Sequence, residues 1–130
     1  MKTTFTVEEF DLFTKEITDK GYIKCNGKLR NEDYYFYKSI FKTLNEDGNS
    51  RAVVQLILSI YDWRKYILHD VKDIFSAQFN IEISRNNNER NSIILDTNLF
   101  ESIEDAEKIT LDLYKYFETK LPYKNYEKNI

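Results

Sequence analysis

Apolar residues recur with two different periods along this chain, and the change of period divides it into helix, strands and helix. In the first segment they recur at the spacing of one helical face. These residues are Phe10, Phe13 and Ile17. Thr6 and Glu9 have the spacing of a capping box, and Gly21 is placed as a left-handed helix stop. The pattern predicts a helix from about Val7 to Lys20.

The middle of the chain contains segments that alternate or are rich in β-branched and aromatic residues, which is typical of strands. The predicted strands cover about 22–25, 34–43, 52–63, 75–84 and 92–97. Asn26-Gly27 is a two-residue hairpin signal and is predicted to turn the first strand. The polar tracts 45–49 and 85–91 are predicted to be turns. The 75–84 segment alternates without a fault, so we expect one dry face and one wet face.

A second helix follows, with Ser102 and Asp105 in its first turn and Pro122 after its end. Its predicted apolar stripe is Ile103, Ala106, Ile109, Leu113 and Phe117. The order α-β-β-β-β-α predicts a two-layer α+β fold: an antiparallel meander sheet of four to five strands with both helices on one face. We expect one domain over 1–121 and a polar C-terminal tail over 122–130.

The aromatic segment YYFYKSIF begins at Tyr34 and raises the question of which rings face solvent. Lys38 and Lys42 indicate the solvent side, because an unpaired lysine is seldom fully buried. Alternation then predicts that Tyr34, Phe36 and Ile40 lie beside these lysines. The residues predicted to point inward are Tyr35, Tyr37 and Phe41.

The next strand is predicted to place a similar mixture of aromatic and polar side chains on the same side of the sheet. Gln55 and Ser59 are expected to point outward, and Tyr61 and Trp63 would accompany them. Such a surface suits a protein partner, or stacked bases of a single-stranded nucleic acid. The alternatives are that the chain's own loops or a homodimer cover it, or that the strand register is shifted by one residue.

Composition and charge limit the classes of partner. The net charge is −3, which gives no overall attraction to nucleic acid or to anionic lipid. Cys25 is the single cysteine, so no internal disulfide is expected and a reducing compartment is favoured. The start has no apolar core of signal-peptide length, and no run approaches the ~20 residues that cross a bilayer. A cytoplasmic location without membrane contact is predicted.

No residue pattern supports ordinary catalysis, a metal centre or a cofactor. His69, with Asp70 and Asp73, is interpreted as part of a solvated loop rather than a metal site. Asp73 with Glu82 resembles the acid pattern of metal-dependent nucleases, but Ser84 stands where the activating lysine is required. With three scattered glycines, no phosphate-binding loop is predicted.

The leading hypothesis is a non-enzymatic binding protein that inhibits a partner by occlusion. Within it, a phage or mobile-element inhibitor of a CRISPR effector or a similar nucleic-acid-handling complex is favoured. The predicted contact residues are Tyr34, Phe36, Lys38, Lys42, Tyr61, Trp63 and Arg64. In a second mode of inhibition, the acidic residues Glu104, Glu107 and Asp112 would occupy a basic groove of the partner that is meant for nucleic acid. A single-stranded RNA or DNA binder and a weak metal-dependent nuclease are the rival classes.

Overall fold

The computed structural model describes residues 1–44, 48, 50–66, 72–85 and 89–120, with no account of the side chains of 50, 51 and 117–120. The elements are β1 (Thr4–Phe5), α1 (Val7–Asp19), β2 (Ile23–Cys25), β3 (Tyr34–Leu44), β4 (Ser50–Asp62), β5 (Phe75–Arg85), β6 (Glu89–Leu95) and α2 (Ile103–Lys120). Single turns of 3-10 helix follow β4 and β6. The α+β fold predicted from the sequence is confirmed.

The strands from β2 to β6 form an antiparallel meander in which each strand pairs with the next. β1 was not predicted, because two residues are too short to show a period of two. It pairs with the start of β5 through Thr4 opposite Ser76 and Phe5 opposite Phe75. β6 pairs with the later part of β5, so β1 and β6 lie beside different parts of β5.

Helix α1 has the caps that its sequence predicts. The Glu9 amide donates to Thr6 Oγ1, and the Thr6 amide donates to the Glu9 carboxylate, which completes the capping box. At the other end Gly21 has φ 94°, and the Tyr22 amide donates to the Ile17 carbonyl at 3.0 Å. This is a Schellman ending, which turns the chain directly toward β2.

Both helices pack on one face of the sheet, as predicted, and close a single core. The apolar stripe of α1 lies against the start of β5, where the rings of Phe10 and Phe75 stack with centres 4.3 Å apart. From α2, Ile103, Ala106 and Tyr114 are buried in the same core. The alternation of β5 is also confirmed, since its apolar positions from Phe75 to Ile83 are buried.

The predicted hairpin at Asn26-Gly27 is wrong. Cys25 pairs with Tyr35, so β2 and β3 are joined by the longer loop 26–33. Gly27 does not have the positive φ that a two-residue hairpin requires at its glycine. Of the predicted turn 45–49 only Gly48 is described, and 86–88, His69, Asp70 and the tail 122–130 lie outside the described residues.

The left-handed stop of α1 can be tested by two matched glycine substitutions. Gly21→Ala is expected to lower the free energy of unfolding by about 1–2 kcal/mol, because alanine is strained at this positive φ. Gly27→Ala is the control: its new Cβ would make an ordinary contact of 3.8 Å with Cys25 Sγ. A change within about 0.5 kcal/mol is expected there. Equal losses in urea denaturation would contradict the assignment.

Candidate functional site

The sheet has a second face that none of the described helices covers, called here the helix-free face. Cross-strand partners share a face in an antiparallel sheet, so Tyr37, Ile57 and Asn80 lie together on it. The same argument places Tyr35 and Ser59 there. This face, rather than the helix-covered one, is where a partner could dock.

The predicted orientation of β3 is wrong for its first half. Phe36 is 2% exposed and belongs to the core, and Tyr34 is half-buried against that core. Both therefore lie on the helix-covered face and cannot form the predicted docking surface. Tyr35 and Tyr37, predicted to point inward, lie on the helix-free face instead.

An irregularity in the β3–β4 pairing explains the error. Ser39 pairs with Gln55 and Phe41 with Val54, so Ile40 is the extra residue of a β-bulge. The bulge places Lys38 on the helix-covered face and Lys42 on the helix-free face, although a regular strand would keep them together. Phe41 does point inward as predicted, with its ring 5.3 Å from that of Tyr114.

Lys38 can lie under the helices because a carboxylate and an aromatic ring meet it there. Its Nζ donates to both carboxylate oxygens of Glu107, at 3.1 and 3.3 Å, and lies 5.6 Å from the centre of the Tyr22 ring. The Tyr22 hydroxyl donates to Glu107 at 3.0 Å. Burial, and then the neighbouring Glu107 charge, raises the pKa of Tyr22. Lys38 is thus a bridge between β3 and α2.

The acidic surface predicted on α2 is partly committed to contacts within the fold. Glu107 forms an ion pair with Lys38 and accepts a hydrogen bond from the Tyr22 hydroxyl. Glu104 forms an ion pair with Lys20, and the hydrogen bond from Lys20 lowers the pKa of the Glu104 carboxyl. Asp112 is exposed. Two of the three predicted acids therefore hold α2 against the rest of the molecule.

The other predicted rings, Tyr61 and Trp63, do lie on the helix-free side at the end of β4. They stack with ring centres 5.7 Å apart and planes 12° apart. Tyr66 lies beside this pair, with its ring centre 6.0 Å from that of Trp63 and its plane tilted by 55°. Trp63 is 40% and Tyr66 67% exposed. Tyr61, Trp63 and Tyr66 are called the ring cluster below.

Tyr66 was missed by the sequence analysis, although a signal existed. It stands three residues after Trp63, and the 3-10 turn Arg64–Tyr66 brings positions i and i+3 to the same side. The Trp63 indole is held in place because its Nε1 donates to Ser76 Oγ at 2.9 Å. Tyr61 and Trp63 are therefore held in place by stacking and by a hydrogen bond to β5.

Two cations next to the ring cluster in the sequence, Lys65 and Arg64, are engaged in ion pairs. Lys65 Nζ lies 3.1 Å from Asp33 Oδ1 and 5.1 Å from the centre of the Tyr66 ring. Arg64, a predicted contact residue, forms an ion pair with Asp62 at 2.6 Å. The side chains around the cluster enclose a depression of about 280 Å³. Its lining is Lys28, Asn31, Asp33, Tyr61, Trp63, Lys65 and Tyr66.

The 26–33 loop crosses the helix-free face and is anchored by Glu32. This side chain is 0% exposed. Its carboxylate accepts from the Arg30 amide at 2.7 Å, the Leu29 amide at 3.3 Å and Ser59 Oγ at 3.4 Å. A buried carboxylate is tolerated when donors surround it. This role of Glu32 was not predicted, because a glutamate in a polar loop is ordinarily solvated.

The acids proposed for a metal-dependent nuclease are not brought together. Asp73 is exposed just before β5, whereas Glu82 lies well along that strand. From Phe75 to Glu82 the strand rises about 23 Å, too far for both carboxylates to hold one ion. Among the described residues, no group of three or more metal-ligating side chains occurs. Asp73 and Glu82 therefore do not form a shared metal site.

Comparisons with known proteins give no family for this chain: no family model, curated protein or solved structure matches it significantly. Among the described residues, neither helix combines the length and the apolar character needed to span a bilayer.

The contact between Tyr22 and Glu107 leads to a pH dependence. Unfolded Tyr22 loses its proton near its ordinary pKa, whereas the native pKa is raised, so the unfolded state binds fewer protons above about pH 10. The stabilising contribution is present at lower pH and is lost as pH rises. From about pH 10 to 11, wild type is expected to lose about 1 kcal/mol more than Tyr22→Phe.

Urea denaturation at several alkaline pH values measures this difference. Leu12→Ala, which changes an exposed apolar residue of α1 and no titrating group, is the control, and its pH profile is expected to follow that of wild type. Parallel pH profiles for wild type and Tyr22→Phe would contradict the inference.

Proposed function

We propose that this chain is a non-enzymatic protein-binding module that acts as an antagonist by covering a surface of its partner. The observation that supports the proposal is the exposed ring cluster on the helix-free face. Trp and Tyr side chains that are rigidly held and partly exposed are the residues most enriched among energetic hot spots of protein interfaces. Trp63 is the centre of the proposed contact, because it stacks on Tyr61 and contacts Tyr66.

The local charge favours a protein over a single-stranded nucleic acid. A nucleic-acid surface needs cations that are free to neutralise phosphates. Here Lys65 and Arg64 are paired with Asp33 and Asp62, and Lys38 is paired with Glu107 on the opposite face. The phosphate-binding capacity expected from the sequence is therefore reduced, while the apolar area of the rings is unaffected.

The alternative mode, in which α2 acts as a mimic of nucleic acid, has less support. Glu104 and Glu107 would have to exchange their ion pairs with Lys20 and Lys38 for contacts with a partner. Such an exchange lowers the gain from each new ion pair. We therefore place the primary contact at the ring cluster.

The narrower part of the proposal concerns the partner. We propose a cytoplasmic inhibitor of phage or mobile-element type, directed at a nucleic-acid-handling complex such as a CRISPR effector. Affinity purification of the tagged chain from its native host, with mass spectrometry, identifies candidate partners. A purified candidate must then bind directly and lose its own activity when this chain is added.

Two substitutions in the ring cluster test the surface. Trp63→Ala and Tyr66→Ala are each expected to weaken binding of the purified partner about 30-fold, the effect of losing one hot spot of about 2 kcal/mol. The control is Leu12→Ala, which removes an exposed apolar side chain of α1 at 71% exposure and should bind as wild type does. Binding is measured by titration calorimetry on variants shown to be folded by circular dichroism.

Two further results would contradict the proposed surface. One is unchanged affinity of both ring variants for a partner that wild type binds. The other is a loss of affinity in Leu12→Ala as large as in Trp63→Ala, which would place the contact on α1.

The nucleic-acid alternative is tested with labelled single-stranded RNA and DNA. Because Lys65 and Arg64 are paired and the net charge is −3, we expect no change in fluorescence anisotropy at about 50 mM salt and micromolar protein. Binding that weakens steeply between about 50 and 200 mM salt, and that Trp63→Ala abolishes, would replace the protein-binding proposal with base stacking on the same rings.

A further inference from the structure

A cleft on the helix-free face lies between the 26–33 loop and β6. Its polar end, of about 190 Å³, is lined by side chains that include Glu32, Ser59 and Asn80. An adjoining end of about 290 Å³ is lined partly by Tyr35 and Tyr37. Four residues line both ends and connect them: Leu29, Ile57, Glu82 and Arg90. The cleft shares no lining residue with the depression at the ring cluster.

One hydrogen-bond acceptor at the floor of the polar end has no donor among the described residues. Ser59 Oγ lies 3.4 Å from Glu32 Oε1 and 3.4 Å from Asn80 Nδ2. A carboxylate can only accept, so Ser59 donates to Glu32 and must accept from Asn80. This fixes the amide of Asn80, which is 5% exposed, and leaves its Oδ1 buried without a partner among the described residues. Such an orphan acceptor favours a ligand that donates hydrogen bonds.

Two opposite charges face the same cleft. Glu82 pairs with Ser92 across the β5–β6 ladder, and Ser84 pairs with Arg90, so Glu82 and Arg90 are diagonal neighbours with Cβ atoms about 7 Å apart. Neither forms an ion pair with any residue in the described part of the chain. The loop closes beside them because Arg30 Nη2 donates to Ser92 Oγ at 2.8 Å. One positive and one negative group at this separation suit a small ligand that carries both charges.

We propose that this cleft binds a free α-amino acid with an apolar side chain. Glu82 and the free acceptor of Asn80 receive the ammonium group, and Arg90 receives the carboxylate. The side chain enters the wider end, against the apolar residues Leu29 and Ile57 and the rings of β3. The inference does not rest on the proposed protein-binding function, because the two sites use different residues.

Calorimetric titration of the full chain with leucine and phenylalanine tests the proposal. Each free amino acid is expected to bind, with the Trp63→Ala variant binding as well as wild type. The N-acetyl derivative lacks the ammonium charge, and the amino-acid amide lacks the carboxylate. Each is expected to bind at least about tenfold more weakly than the free amino acid.

Charge-removing variants test whether Glu82 binds the ammonium group of the ligand and Arg90 its carboxylate. Glu82→Gln and Arg90→Gln are each expected to weaken binding at least about tenfold. Glu8→Gln and Lys15→Gln, which remove exposed charges of α1, are the matched controls and should leave affinity unchanged. The proposal is overturned if the folded wild type binds no free amino acid, if both blocked derivatives bind as tightly as the free form, or if neither cleft variant changes the affinity.

Discussion

The burial of one face of β4 is the constraint on which the rest of this molecule depends. Its alternate residues Val54, Leu56, Leu58 and Ile60 are all 0% exposed. β4 pairs along most of its length with β3 on one side and β5 on the other, so its alternation decides which side chains of both neighbours meet the helices. Truncation of such a buried Leu or Ile to Ala ordinarily costs about 2–5 kcal/mol.

The same constraint creates the surface on which both proposals stand. Once the apolar residues of three strands are directed at the helices, their alternate residues must face the other way. The 26–33 loop then crosses that second face, anchored by the buried carboxylate of Glu32. On one side of this anchor lies the ring cluster around Trp63, and on the other lies the cleft with Glu82. One loop therefore divides the helix-free face into two distinct surfaces.

Sequence reasoning succeeded where the decisive contacts are local, and it failed where they are distant. The caps of α1 and the alternation of β5 depend on residues a few positions apart, so their patterns were sufficient. The side on which Lys38 lies depends on Glu107, 69 residues away, and on a bulge at Ile40 that no turn residue marks. The rule that unpaired lysines stay exposed was sound. Its application failed because this lysine is paired.

The charges on the helix-free face can be divided by whether the fold itself uses them. Glu32 accepts hydrogen bonds from backbone amides and from a hydroxyl. Asp33 forms an ion pair with Lys65 and accepts a hydrogen bond from the Asp62 amide. These contacts hold the loop in place. Removing such a group would disturb the fold as well as any function, so its presence says little about a ligand. Glu82 and Arg90 differ, because neither is required to satisfy a partner elsewhere in the described chain. Charges that folding does not use, beside a buried acceptor that it leaves free, are the more specific sign of a binding site.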